Sequence, residues 1–169
     1  IKVSTSALAS DPTVVAANPT GKIPALLRDD SPAIHDSRVI TRYLDDLANA
    51  GFYPGERVWD VLTLEATADA IMEAALFITY ELRLRPADKQ FDEWTDAQWG
   101  KAIRAVSAIN DRWMSQLSGP LDMGHISVGC ALGYLDLRHD ARVWRNGNAA
   151  LANWYTQFAQ RDSMLATAP

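Results

Sequence analysis

Ten consecutive residues constrain this chain most: Asn18-Pro19-Thr20-Gly21-Lys22-Ile23-Pro24-Ala25-Leu26-Leu27. Asn-Pro-x-Gly is turn chemistry. The run from Ile23 to Leu27 has the length and apolarity of a strand, with a proline at its mouth. A trans Ile23–Pro24 bond at a strand edge is the commoner arrangement, since only about one X–Pro bond in twenty is cis. A cis bond there would turn the N–H and C=O of Ile23 outward, where an extended ligand could pair with them as a further strand does. His35-Asp36-Ser37-Arg38-Val39-Ile40 follows and reads as the polar start of a helix. Backbone N–H groups at a helix start favour an anion, and Asp36 could accept from a ligand ammonium. Plain N-capping by Asp36 and Ser37 is the more frequent use of those residues.

Composition narrows the possible partners. The 169 residues suit one domain or two small ones, and 48% hydrophobic residues suffice for a core. A net charge of −5 without any Lys/Arg run argues against a nucleic-acid surface. A single cysteine, Cys130, permits no internal disulfide and fits a reducing, cytoplasmic compartment. The longest apolar stretch, Ile126 to Leu137, is interrupted by Gly129, Gly133 and Asp136 and is too short to cross a bilayer.

Periodicity then orders the elements. Ile1–Val3 reads as a short strand, and Asp11-Pro12 opens a small helix running to about Ala17. Ile23–Leu27 and Pro32–His35 form a hairpin around the polar tip Arg28-Asp29-Asp30-Ser31. Val39, Ile40, Tyr43, Leu44 and Leu47 recur at helical spacing from Asp36 or Ser37 to Ala50, and Gly51 supplies a stop. From residue 52 onward no strand is expected. Four helices are: about 56–85, 95–118 with Thr95 and Gln98 as a capping box, 122–138 and 148–161. The expected organisation is an α/β piece over residues 1–51 and an all-helical piece over residues 52–169.

The order strand, short helix, Asn-Pro-x-Gly-Lys-Ile-Pro-Ala-Leu, hairpin, Asp-Ser-Arg-Val-Ile-x-x-Tyr-Leu resembles the glutathione S-transferase family. Ala68-Asp69-Ala70-Ile71-Met72-Glu73-Ala74 and Cys130-Ala131-Leu132-Gly133-Tyr134-Leu135-Asp136 are similar to its bacterial YibF-like group. The resemblance implies a thioredoxin-like N-terminal domain followed by a helical bundle, and glutathione as co-substrate without a metal. Ile23, before a cis Pro24, would bind the cysteinyl backbone of glutathione. Asp36 and Ser37 would hold the γ-glutamyl end, and Lys22 would approach the glycyl carboxylate. The implied activity is conjugation of the glutathione thiolate to a small electrophile by a detoxifying homodimer. A non-catalytic glutathione-binding protein, or a glutathione-dependent isomerase, dehalogenase or disulfide reductase, is the alternative. The family's thiol-activating Ser, Cys or Tyr would lie upstream of Ile1, together with the first strand and helix, so no residue of this sequence takes that role.

The remaining candidates have plainer readings. Met72, Leu76, Tyr80 and Arg83 share one face of the first long helix and could wall the electrophile's cleft, although ordinary packing explains the apolar pair equally well. Glu65, Asp69 and Glu73 repeat every four residues and read as a solvated acidic face. Asp122 caps the third helix with His125 three places on. Cys130 reads as a small buried hydrophobe, and the six tryptophans as core or helix-contact residues.

Overall fold

The computed structural model describes residues 8–168. The strand expected over Ile1–Val3 lies outside them. The chain divides into two compact units, with the boundary between Tyr53 and Pro54.

The first unit begins with α1 (Pro12–Ala17), capped by Asp11, whose carboxylate accepts from the Thr13 N–H at 2.8 Å. Strands β1 (Leu26–Arg28) and β2 (Ser31–Ile34) form an antiparallel hairpin in which Leu26 pairs with Ile34 and Arg28 with Ser31. The ladder starts three residues later than the apolar run predicts. Pro24 has no N–H to give it, and Lys22 to Pro24 line a cleft instead. Helix α2 (Ser37–Ala48) follows, and its left-handed C-terminal residue is Asn49, at φ 48°. The segment beyond folds back along α2. The Phe52 N–H donates to Asp45 at 2.8 Å, and the Tyr53 hydroxyl lies 2.9 Å from that of Thr41.

The second unit is built on α3 (Val58–Leu84), a 27-residue helix without an internal Gly or Pro. It follows a short 3-10 turn at Gly55–Arg57 and stops where Arg85 turns extended ahead of Pro86. Helices α4 (Asp92–Arg112) and α6 (Met123–His139) pack on it. Short helices α5 (Met114–Leu117), α7 (Ala149–Phe158) and α8 (Asp162–Ala166) complete the unit. Leu64, Ala68, Ile71 and Ala75 of α3 share one core with Ala102, Val106 and Ile109 of α4 and Val128, Ala131, Leu132 and Leu135 of α6. Trp144, Leu151 and Tyr155 close it. The α7 end approaches α6 closely because residue 129 is a glycine: a Cβ there would stand 2.5 and 2.7 Å from ring carbons of Phe158.

Asp122 organises the start of α6. It is fully buried, and its Oδ1 accepts from the His125 N–H at 3.3 Å and lies 2.7 Å from His125 Nδ1. Two lone pairs do not approach so closely, so Nδ1 carries the hydrogen and donates to the carboxylate. Arg57 Nη1 at 3.2 Å and Gln116 Nε2 at 2.7 Å serve Oδ2. Farther on, Arg145 clasps Asp136 with two hydrogen bonds of 2.6 and 2.7 Å while Trp144 Nε1 donates to the same carboxylate.

Four expectations are corrected here. Thr95 and Gln98 do not cap a helix; α4 starts at Asp92, and both residues are buried within it. The Thr95 hydroxyl donates to the Asp92 carbonyl at 2.8 Å. Glu65 is buried, so it does not belong to a solvated face. Cys130 is exposed rather than buried, on the side of α6 that carries Gly133 and Leu137. Trp59 is 78% exposed, whereas Trp144 is the tryptophan sealed in the core.

Candidate functional site

The site lies within the first unit. Its loop is shaped by Asn18, a buried residue whose Oδ1 accepts from the Thr20 N–H at 3.0 Å and the Thr20 hydroxyl at 2.8 Å. Its Nδ2 reaches forward to donate to the Lys22 carbonyl at 2.8 Å. One side chain thus ties together the whole turn from 18 to 22. Gly21 sits in that turn at φ +68°, where a side chain is strained and would also run into Ser10. The loop leaves the turn through a cis Ile23–Pro24 bond, the geometry that the resemblance implies.

The other wall is the start of α2. Asp36 takes an extended conformation, and its Oδ1 accepts from the Arg38 N–H at 3.2 Å. Its second oxygen lies 3.5 Å from Arg38 Nη2 with both side chains more than half exposed, which makes that pair a weak restraint. Loop and helix start enclose a cleft of about 510 Å³. All five ligand-binding residues read from the sequence, Lys22, Ile23, Pro24, Asp36 and Ser37, line it.

The cleft's chemistry is graded. Lys22 supplies a cation and Asp36 an anion; the exposed main chain around Ile23 and the first turn of α2 offer polar backbone between them. Such a surface fits an elongated zwitterionic or peptide-like molecule rather than an apolar one.

Comparison with known proteins identifies the arrangement. Residues 2–47 match the family model of the glutathione S-transferase N-terminal domain, and residues 92–157 that of the C-terminal domain. A glutathione transferase family member from Pseudomonas fluorescens Pf-5, solved with bound glutathione, is 41% identical, with a TM-score of 0.94 over 99% of this chain and 83% of that one. The chain belongs to the glutathione S-transferase family. A glutathione transferase family member from the same Pseudomonas strain is also solved with bound S-(propanoic acid)-glutathione, at 43% identity and a TM-score of 0.84 over 90% of this chain and 80% of that one. A glutathione S-transferase from Methylobacillus flagellatus KT with glutathione bound is 33% identical, with a TM-score of 0.82 over 94% and 82%. The uncharacterized GST-like protein YibF of Escherichia coli K12 is 27% identical over 95% of this chain and 81% of its own, which places this transferase-family chain with the YibF-like group.

The candidates on α3 are distributed differently. Met72 and Leu76 are half-buried, and Met72 packs against the helical core. Tyr80 and Arg83 are exposed. Among the described residues no group of His, Cys, Asp and Glu is arranged to hold a metal ion, and no helix is long and apolar enough to cross a membrane.

Four further residues line the cleft to which the sequence reading gives no ligand contact: Asn18, Thr20, His35 and Val39. Asn18 and Thr20 carried a usable signal. Asn two residues ahead of a backbone N–H is an Asx turn in waiting; its reach to the Lys22 carbonyl was the part that the pattern did not show.

Proposed function

We propose that this chain binds glutathione in the cleft of its first unit and transfers the glutathione sulfur to a small electrophile. The observation that carries this reading is the convergence of Lys22, Ile23, Pro24, Asp36 and Ser37 on one cleft, in a family whose relatives are solved with glutathione bound. In the proposed pose the cysteinyl backbone of the tripeptide pairs with the main chain at Ile23. The γ-glutamyl carboxylate meets the start of α2 at Ser37, where backbone donors and the helix dipole favour negative charge. Its ammonium meets the Asp36 carboxylate, and Lys22 faces the glycyl carboxylate.

Binding of this kind holds the sulfur in one place and so supplies proximity. The reacting species is the thiolate: the thiol gives up its proton, the sulfur forms a C–S bond, and a leaving group departs with the bonding electrons. No residue of the cleft is assigned to deprotonate the thiol. Met72, Leu76, Tyr80 and Arg83 of α3 are proposed to contact the electrophile. A homodimer working in the reducing cytoplasm completes the reading.

Calorimetric titration with glutathione tests the binding step. Asp36→Asn keeps a helix cap of equal quality and removes the charge; Ser37→Ala removes the hydroxyl. Each is expected to weaken binding by about 1–3 kcal/mol, the worth of a charge-assisted hydrogen bond. Unchanged affinity in both variants would refute the γ-glutamyl contact. Appearance of a thioether product from an aryl halide and glutathione, followed by mass spectrometry, separates a transferase from a protein that only binds.

A further inference from the structure

The helical unit contains a second cavity, apart from the residues assigned to either substrate. It measures about 330 Å³ and is lined by Cys130, Gly133, Tyr134 and Leu137 of α6, Tyr155 of α7 and Met164 of α8, with Ala159, Thr167 and Ala168 at its margin. No lining residue carries a charge. The Thr167 hydroxyl is already used, donating to the Ser163 carbonyl at 2.7 Å. Tyr155 differs. Its side chain is buried, the residue being 9% exposed, yet among the described residues its hydroxyl makes no hydrogen bond. The hydroxyl lies over Gly133, where a Cβ would stand 2.9 Å from its oxygen, so the glycine keeps that oxygen open to the cavity.

The hydroxyl makes no protein hydrogen bond among the described residues and opens onto apolar space of small-molecule size, so a bound acceptor would take the place of water on it. Aromatic and thioether neighbours, Tyr134, Tyr155 and Met164, favour a flat ring. With no cation in the lining, a carboxylate would be left unpaired. We propose that this cavity binds a small, neutral aromatic molecule bearing a carbonyl oxygen, which accepts a hydrogen bond from the Tyr155 hydroxyl. Burial foremost, and Asp136 after it, raise the pKa of Tyr155, so its proton stays in place as a donor. Partial burial likewise raises the pKa of Cys130, which slows its reaction with an alkylating reagent without preventing it.

Cys130 also gives the readout. It is the chain's single cysteine and is exposed at the cavity, so its rate of alkylation by iodoacetamide reports occupancy. With the full chain and 1-acetylnaphthalene as the probe, alkylation is expected to slow saturably. Tyr155→Phe, which strips one oxygen and no protein partner, is expected to raise the half-protecting concentration about 5–10-fold, the ordinary worth of one hydrogen bond. Leu137→Trp, placed at a half-exposed lining position, is expected to abolish protection with an unchanged far-ultraviolet circular dichroism spectrum. An alkylation rate indifferent to the probe overturns the proposal. Equal half-protecting concentrations for wild type and Tyr155→Phe also overturn it, because the apolar walls alone would then account for the binding. If Leu137→Trp does not fold, the Tyr155→Phe comparison decides. Glutathione titrations read a different unit, so failure here leaves the transferase reading standing, and the reverse.

Discussion

Replacing Asp122 with Ala should be among the most damaging single changes to the helical unit, and the size of the loss follows from its four donors. The N-cap bond to the His125 N–H is worth about 1 kcal/mol. His125 is 3% exposed, so its Nδ1–H would lose its acceptor without water to replace it, at about 2 kcal/mol. Arg57 and Gln116 are only part-buried and turn to solvent, adding about 0.5 kcal/mol together. The sum is about 3–4 kcal/mol, or roughly 12–16 °C in the unfolding midpoint of a unit this size. Asp122→Asn keeps an oxygen for the cap and for His125 and should lose only about 1 kcal/mol. Urea unfolding followed at 222 nm measures both, provided that the helical unit's transition is resolved from the other's. A loss below about 1 kcal/mol in Asp122→Ala, or equal losses in the two variants, would show that the carboxylate does not hold these donors as described.

Two further outcomes are expected. His139 is buried with its Nε2 2.8 Å from the Ala75 carbonyl. Burial lowers its pKa below the usual 6.5, with Arg142 and Arg138 adding to the shift and the Ala75 hydrogen bond opposing it. The unfolded chain therefore takes up the proton first. The contribution of His139 is fully present above about pH 6.5 and is lost as the pH falls through the lowered folded value. The unfolding midpoint should drop between pH 7 and 5, and His139→Gln should lessen that drop; an identical pH profile in the variant contradicts the assignment. Gly21→Ala forces a side chain into φ +68° and against Ser10, at about 1–2 kcal/mol, and should weaken glutathione binding by distorting the loop that presents Lys22 and Ile23. Unaltered affinity would separate that turn from the site.

What the sequence disclosed was largely what is decided within a few residues. Asp11, Asp36 and Asp122 cap the helices they precede through bonds to N–H groups two or three residues on, and such local chemistry is written in the order of residues. That Lys22, Ile23, Pro24, Asp36 and Ser37 come together in one cleft has the same local origin, since they lie on a turn and a helix start joined by one short hairpin. The failures lie where packing overrode the local signal. Thr95 and Gln98 have the spacing of a capping box, but α4 turns that edge toward the core and begins at Asp92 without a side-chain cap. Glu65 looked like one of three solvated acids, yet α3 is covered on several sides by α4 and α6 and so buries positions of either character. The α6 run around Cys130 is apolar by composition, and only the packing shows which of its faces stays open. The break at Trp113 and the final turn α8 have no Gly or Pro beside them to mark them in the sequence.

The most direct test is an amide nuclear magnetic resonance titration of the full chain with reduced glutathione. Saturable shifts are predicted at the Ile23 and Ser37 N–H groups, and Asp36→Asn should move both curves to higher glutathione concentration in parallel. Saturation that leaves these two amides unmoved, with shifts confined to residues of the helical unit, would contradict glutathione binding in this cleft.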